Sequence, residues 1–196
     1  MGLLFGPGDW KNPTHYLPYA LDNGAFPAWR KGLPWDEEGW LRLMDRAAEA
    51  RTRPLWAVVP DVVTNREATL ERWHKYAPMM KERGLPLAIA VQDGMTAEDV
   101  PEDATVVFVG GSTEWKWRTL PRWTARFKRV HVGRVNTLKW LIECEDLGVE
   151  SVDGTGWFRG DPEQTRELIR WVTGTVSKNL RLFFNDDEDA EALEDD

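Results

Sequence analysis

Short apolar runs rich in Val, Ile, Leu and Phe recur along the chain, separated by stretches whose apolar residues return at helical spacing. The runs predict strands at Leu3–Phe5, Tyr19–Leu21, Leu55–Val59, Leu87–Val91, Thr105–Val109, Val130–Val132, Glu150–Val152 and Leu180–Phe184. Between them, Trp40, Leu43, Met44, Ala47 and Ala48 follow the i, i+3, i+4, i+7, i+8 rule, which predicts a helix over 36–50 capped by Asp36. Thr64 and Glu67 stand at capping-box spacing before a second helix that stops at Gly84 and Pro86. A third runs over 136–147 and closes at Gly148. A fourth starts with Asp161 as cap and Pro162 at its first position and runs through Leu168, Ile169, Val172 and Val176. The stretch Gly94–Pro101 is too short for a full helix.

Strands alternating with helices imply right-handed crossovers and a parallel sheet. Eight strand candidates point to closure as a compact (β/α)8 TIM-like barrel with reduced helices, in a single domain over residues 1–185. An open doubly wound sheet is the alternative. No Gly-x-Gly-x-x-Gly follows a strand and no phosphate-binding Lys-Ser/Thr loop is present, so nucleotide-cofactor folds gain no support and no cofactor is expected.

Charge changes this picture in two places. The chain of 196 residues carries a formal net charge of −8. Residues 186–196 hold eight acids and no base, a composition expected of a solvated, disordered tail, and without them the remainder is formally neutral. From Trp115 to Ile142 there is no acid, while Lys116, Arg118, Arg122, Arg126, Lys128, Arg129, Arg134 and Lys139 are basic and Trp115, Trp117 and Trp123 interleave with them. That mixture suits a surface that tracks a phosphate backbone and stacks bases; a solvated helix face with tryptophans turned inward explains it equally well. No apolar stretch is long enough to span a bilayer and the N-terminus lacks a signal peptide's basic start, so no membrane partner and a cytosolic location are expected. Lone Cys144 excludes an internal disulfide and a thiolate zinc cluster. His15, His74 and His131 have no ligand spacing, and His74 is expected on a helix surface, so no metal site is expected.

The chemistry gathers where strands end. Tyr19–Leu21 leads into Asp22-Asn23-Gly24-Ala25-Phe26, Val58-Val59-Pro60 into Asp61, Ala90-Val91 into Gln92-Asp93-Gly94, Val107–Val109 into Gly110-Gly111-Ser112, and Val152 into Asp153-Gly154. In a parallel β/α barrel these ends share one mouth. Two carboxylates are what a glycosidic bond needs, one to attack the anomeric carbon and one to move protons. Each of Asp22, Asp61 and Asp153 could instead be a helix cap or an Asx turn, and singly that reading suits Asp61 best.

In order and content these motifs resemble the core of the tRNA-guanine transglycosylase superfamily, and within it the shortened branch that exchanges guanine in DNA for a 7-deazaguanine. The resemblance covers roughly residues 17–160. It implies that Asp22 is the acid/base residue and Asp153 the nucleophile. It implies that Asn23, Phe26, Asp61, Gln92, Gly110, Gly111 and Trp157 form the base site, with Asp61 accepting from the purine N1–H and amine, Gln92 and the glycine amides donating to O6, and Phe26 and Trp157 as an aromatic wall. Core packing is an equal alternative for Phe26. Lys116, Arg118, Arg122, Arg126, Arg134 and Arg159 would contact the nucleic acid. The superfamily's tRNA enzymes carry a Cys/His zinc site that this sequence lacks. The implied partners are therefore DNA rather than tRNA and a free 7-deazaguanine base, with no metal. Two rival readings stay open at this point: an N-glycosidase of the same fold, which passes the sugar to water, and a non-catalytic nucleic-acid-binding module.

Overall fold

The computed structural model describes residues 2–11, 13, 16–159 and 162–174, without the side chains of Phe158 and Arg159. Seven strands form: β1 (Leu3–Phe5), β2 (Tyr19–Leu21), β3 (Ala57–Val58), β4 (Leu87–Val91), β5 (Val106–Val109), β6 (Val130–Val132) and β7 (Ser151–Val152). Their order in the sheet is their order in the chain, and the pairs from β1 to β5 are parallel. The Val107 N–H donates to the Arg129 carbonyl (3.0 Å) and the Asp153 N–H to the Val132 carbonyl (3.2 Å), which extends the ladder through β6 to β7. Sequential parallel order is the strand arrangement of a β/α barrel. Closure is not reached among the described residues, since the expected eighth strand, Leu180–Phe184, lies outside them, as do the acidic stretch 186–196, His15 and Asp161.

The chain divides into two compact units, residues 1–131 and 132–196, with the boundary inside β6. The first holds β1–β5 with α1 (Ala25–Arg30), α2 (Glu37–Glu49), α3 (Arg66–Glu82) and α4 (Thr113–Arg126); the second holds β7 with α5 (Leu138–Asp146), α6 (Gly156–Arg159) and α7 (Pro162–Val172). Alternation along the strands sorts the first unit's core into two faces. Ala20, Trp56, Val58, Ala88, Ala90 and Val106 cluster on one, with Leu4 and Phe108 against them. Leu21, Val59, Leu87, Ile89, Val91 and Val109 belong to the other and are buried with Trp40, Met44 and Met80 of the helices. All five residues of β4 are buried, the mark of a central parallel strand covered on both faces. Each of Leu87, Ile89 and Val91 contributes roughly 1.5–3 kcal/mol by burial, so a charge at Ile89 would break this strand first.

Helix boundaries follow local chemistry, and twice correct the sequence reading. Asp36 caps α2 as expected, accepting the Gly39 N–H at 2.8 Å. In α3 the cap is Asn65, whose Oδ1 accepts the Ala68 N–H at 3.0 Å, rather than Thr64, which sits in the left-handed region at φ 59° with its N–H turned elsewhere. Helix α5 starts at Leu138 behind a Thr137 cap instead of at Asn136, because the Asn136 side chain is used by the Gly156 N–H (2.9 Å). Between β4 and β5 there is only a 3₁₀ turn, Ala97–Asp99, closed by reciprocal Thr96 and Asp99 bonds. The basic segment begins as a true helix, α4.

Candidate functional site

At the ends of β2, β3 and β4 the first unit buries a carboxylate between two amides. Asp61 is 6% exposed. Its Oδ1 accepts from Asn23 Nδ2 at 2.6 Å and its Oδ2 from Gln92 Nε2 at 2.7 Å. Both amides are held in one orientation by the backbone. Asn23 Oδ1 accepts the Ala25 N–H (2.8 Å) and its Nδ2 also donates to the Val59 carbonyl (3.1 Å), while Gln92 Oε1 accepts the Thr64 N–H (2.9 Å). Neither amide can flip without breaking such a bond, so both present donors to Asp61. Burial pushes the Asp61 carboxyl up to about 6, against the opposing pull of the Asn23 hydrogen bond and the Arg72 charge. Arg72 donates from Nη1 to the Asp61 backbone carbonyl and lies over the Trp35 ring at 4.7 Å, and Trp35 in turn donates its indole N–H to the Asn23 carbonyl (2.8 Å).

A second tie joins the ends of β4 and β5. Asp93 accepts from the Ser112 N–H (2.7 Å) and the Ser112 hydroxyl (2.5 Å), folding the Gly110-Gly111 turn against the end of β4. Gly111 has φ 74°, and a Cβ there would come within 2.6 Å of Asp93 Oδ2 and 2.8 Å of the Trp115 ring. A Cβ on Gly110 would meet Gln92 Nε2 at 3.0 Å. The Gly110 N–H donates to the Val91 carbonyl (3.1 Å), so it closes the ladder and is not the amide that faces a ligand.

Asp22 is half-buried at the end of β2; its Oδ1 accepts the Asn23 N–H at 2.9 Å and its own N–H donates to the Phe5 carbonyl (2.8 Å). Asp153 belongs to the second unit, where its Oδ1 accepts the Arg134 N–H at 3.1 Å. Among the described residues only Thr64 and Arg134 are non-glycines with positive φ. Each uses the N–H of that strained residue to hold a proposed site side chain, Gln92 and Asp153 respectively, and strain of this kind persists where surrounding structure enforces it. Phe26 is half-buried on α1, its ring 5.8 Å from that of Trp29. Trp157 is buried in the second unit with its indole N–H fixed to the Val135 carbonyl (2.7 Å).

The basic segment divides. Lys116 is buried at 1% exposure beneath α4, with its Nζ 4.8 Å from the Trp117 ring centre, which removes it from a phosphate-facing surface; Trp115 and Trp123 are core residues. Arg118, Arg122 and Arg126 are exposed on α4, and Arg118 pairs with Glu114 at 3.0 Å. Arg134 is half-buried, and the Arg159 side chain lies outside the described set. Sequence reading missed Thr64, Arg72 and Trp35. Thr64 stands close after Asp61 in the chain, whereas Arg72 and Trp35 are 11 and 12 positions from the residues they bond and carry no local signal.

Among the described residues no group of three or more His, Cys, Asp or Glu could hold a metal ion, and no helix is long and apolar enough to cross a membrane. Compared with known proteins, the chain matches no family model, no curated protein and no solved structure.

Proposed function

We propose that this chain is a base-exchange transglycosylase that replaces guanine in nucleic acid, DNA rather than tRNA, with a 7-deazaguanine. The observation that supports the reading is the buried Asp61 carboxylate between two fixed amides. A carboxylate has about four acceptor positions, and Asn23 and Gln92 use two. Two remain for a pair of donors on one edge, which is what guanine N1–H and its 2-amino group offer. A base lacking that edge leaves a buried carboxylate unpaired and is rejected strongly. Gln92 keeps a second amide proton for O6.

In the chemistry proposed, an Asp153 oxygen attacks C1′ of the guanine nucleotide, the C1′–N9 bond breaks, and its electron pair leaves with the base. Asp22 supplies the proton that neutralises the departing guanine and recovers one from the incoming 7-deazaguanine, whose N9 then displaces Asp153 from C1′. Two displacements at one carbon retain its configuration. The target nucleotide has to leave the stack, and Phe26 is proposed to lie against it. Arg118, Arg122, Arg126 and Arg134 are proposed to contact phosphates.

Incubation of the chain with DNA and labelled guanine tests the reading. Incorporation of label is expected. Release of guanine without incorporation would redirect the function to an N-glycosidase, and binding with neither would leave a nucleic-acid-binding module.

A further inference from the structure

We infer that the exposed end of α1, made by Trp29 with Arg30 and Lys31 beside it, is a stacking platform for single-stranded nucleic acid flanking the nucleotide addressed at Asp22. The inference rests on the reading that the substrate is a nucleic acid. It places base stacking on α1, where the sequence had suggested the tryptophans of the 115–142 segment, two of which are core residues.

Trp29 is 54% exposed on a helix of six residues that starts three positions after Asp22, and Leu33, just past the end of that helix, is 59% exposed. An indole left in water forgoes a large apolar burial, and the local backbone keeps it there. The Lys31 N–H donates to the Ala28 carbonyl (3.2 Å), the Gly32 N–H to that of Trp29 (3.0 Å) and the Leu33 N–H to that of Ala28 (2.9 Å), locking the end of α1 behind the ring. The start of α1 is fixed by the Ala25 N–H on Asn23 Oδ1, so the platform and the Asp61 network share a residue.

Charge selects the partner. From Asn23 to Trp35 the chain has no acid, and among the described residues Arg30 and Lys31 form no ion pair. The acids that follow are engaged elsewhere: Asp36 with the Gly39 N–H, Glu37 with Lys75 and Tyr76, Glu38 with Arg42. An aromatic face beside two uncommitted cations suits a chain of stacked bases and phosphates, and it accepts any base, since every base offers a π-face. A nucleotide withdrawn from a duplex leaves unstacked neighbours that need such a surface.

Anisotropy of a labelled single-stranded oligothymidylate, titrated with the full chain across a salt series, tests this without any purine or turnover. Trp29→Ala should weaken binding roughly ten-fold while Trp29→Phe keeps most of it, the loss expected of one stacked base. Replacing Arg30 and Lys31 together by Ala should flatten the log–log salt slope by about 1.4, the share of two phosphate contacts on a single strand. Because the indole is exposed, the melting temperature of Trp29→Ala should stay close to that of the wild type. Failure of the wild type to bind, or equal binding by wild type and Trp29→Ala, overturns the platform. So does a fall in sedimenting mass on Trp29→Ala with no change in oligonucleotide binding, which would make a second copy of the chain the occupant. Absence of base exchange with the Trp29 effect intact would instead remove the transglycosylase reading alone.

Discussion

Asn23 and Asp61, 38 positions apart in sequence, meet through a 2.6 Å hydrogen bond from Nδ2 to Oδ1 in a buried setting. Every polar atom of the Asn23 side chain is committed: Oδ1 to the Ala25 N–H, Nδ2 to Asp61 and to the Val59 carbonyl. Asn23→Ala should therefore cost roughly 1–3 kcal/mol, the penalty for stranding a buried acceptor. Asn23→Asp should cost more at pH 8, where two carboxylates face each other, and recover as pH falls below about 6. Urea unfolding of both variants across that range checks the pair, and an Asn23→Ala variant as stable as the wild type would show the bond to be idle.

Asp61 itself should make stability pH-dependent in a definite direction. Its carboxyl rises from 3.8 to about 6 on folding, chiefly through burial. Below the unfolded value both states are protonated and burial costs nothing; above about 6 both are ionised and the folded state bears the cost. Wild type should thus lose stability relative to Asp61→Asn between pH 4 and pH 6, by about 3 kcal/mol from the shift, and the gap should stay flat above that. Binding of guanine should move the other way, weakening as pH falls through about 6, because the protonated acid loses acceptor positions. Paired unfolding and guanine-binding titrations on a pH series measure both trends.

The two glycines after β5 should respond differently to alanine. At Gly111 the φ of 74° and the 2.6 Å approach to Asp93 Oδ2 leave no room, so Gly111→Ala should destabilise the fold by roughly 1–3 kcal/mol. At Gly110 the nearest atom is Gln92 Nε2 at 3.0 Å, so a Cβ there pushes the amide by a few tenths of an ångström against the bonds that hold it to Thr64 and Asp61. Gly110→Ala should fold with a smaller loss and weaken binding of guanine by displacing Gln92. Thermal melts alongside base-binding titrations separate the two.

The positions of the seven strands, their parallel order, the cap at Asp36 and the start of α7 at Pro162 were legible in the sequence, although β3 forms only over Ala57–Val58 where the apolar run predicted a strand over 55–59. The polar strand ends were legible as candidates too, since strands, caps and strand ends each depend on residues within one turn or one strand. What could not be read is how their side chains spend their hydrogen bonds. Thr64 reads as a cap by spacing, yet Asn65 wins the position and the Thr64 N–H turns to Gln92, 28 residues away. Gly110 reads as a ligand donor, yet the parallel ladder claims its N–H. Lys116 reads as one more cation in a basic run, and only the helical period of α4, together with its register against the sheet, turns it inward.

That register also ranks the arginines of α4. Arg118 is already paired with Glu114, whereas Arg122 and Arg126 are exposed and uncommitted to an ion pair among the described residues. Replacing Arg122 and Arg126 by Ala should weaken nucleic-acid binding for all sequences alike and flatten its salt dependence, while Arg118→Ala should do less. Removal of residues 186–196, eight of them acids, should leave binding unchanged or tighten it. Salt-titrated binding to DNA and tRNA decides each case, and an unaltered slope in the double variant would mark α4 as an ordinary solvated face.

The nucleophile assignment is tested by trapping. With Asp153 as the attacking carboxylate, a stalled reaction on guanine-containing DNA should leave a covalent species that survives denaturation, and Asp153→Asn should abolish it. Asp61→Asn should leave trapping possible at high substrate and chiefly weaken base recognition, since the role proposed for its carboxylate is to read an edge and not to form the bond. The Arg134 N–H that holds Asp153 Oδ1 comes from a residue at φ 60°, a conformation glycine adopts without strain. Arg134→Gly keeps that N–H and should retain the adduct, although it loses a cation. Denaturing electrophoresis of labelled DNA with each variant reads all three outcomes at once, and equal trapping by Asp153→Asn and wild type would remove Asp153 from the chemistry.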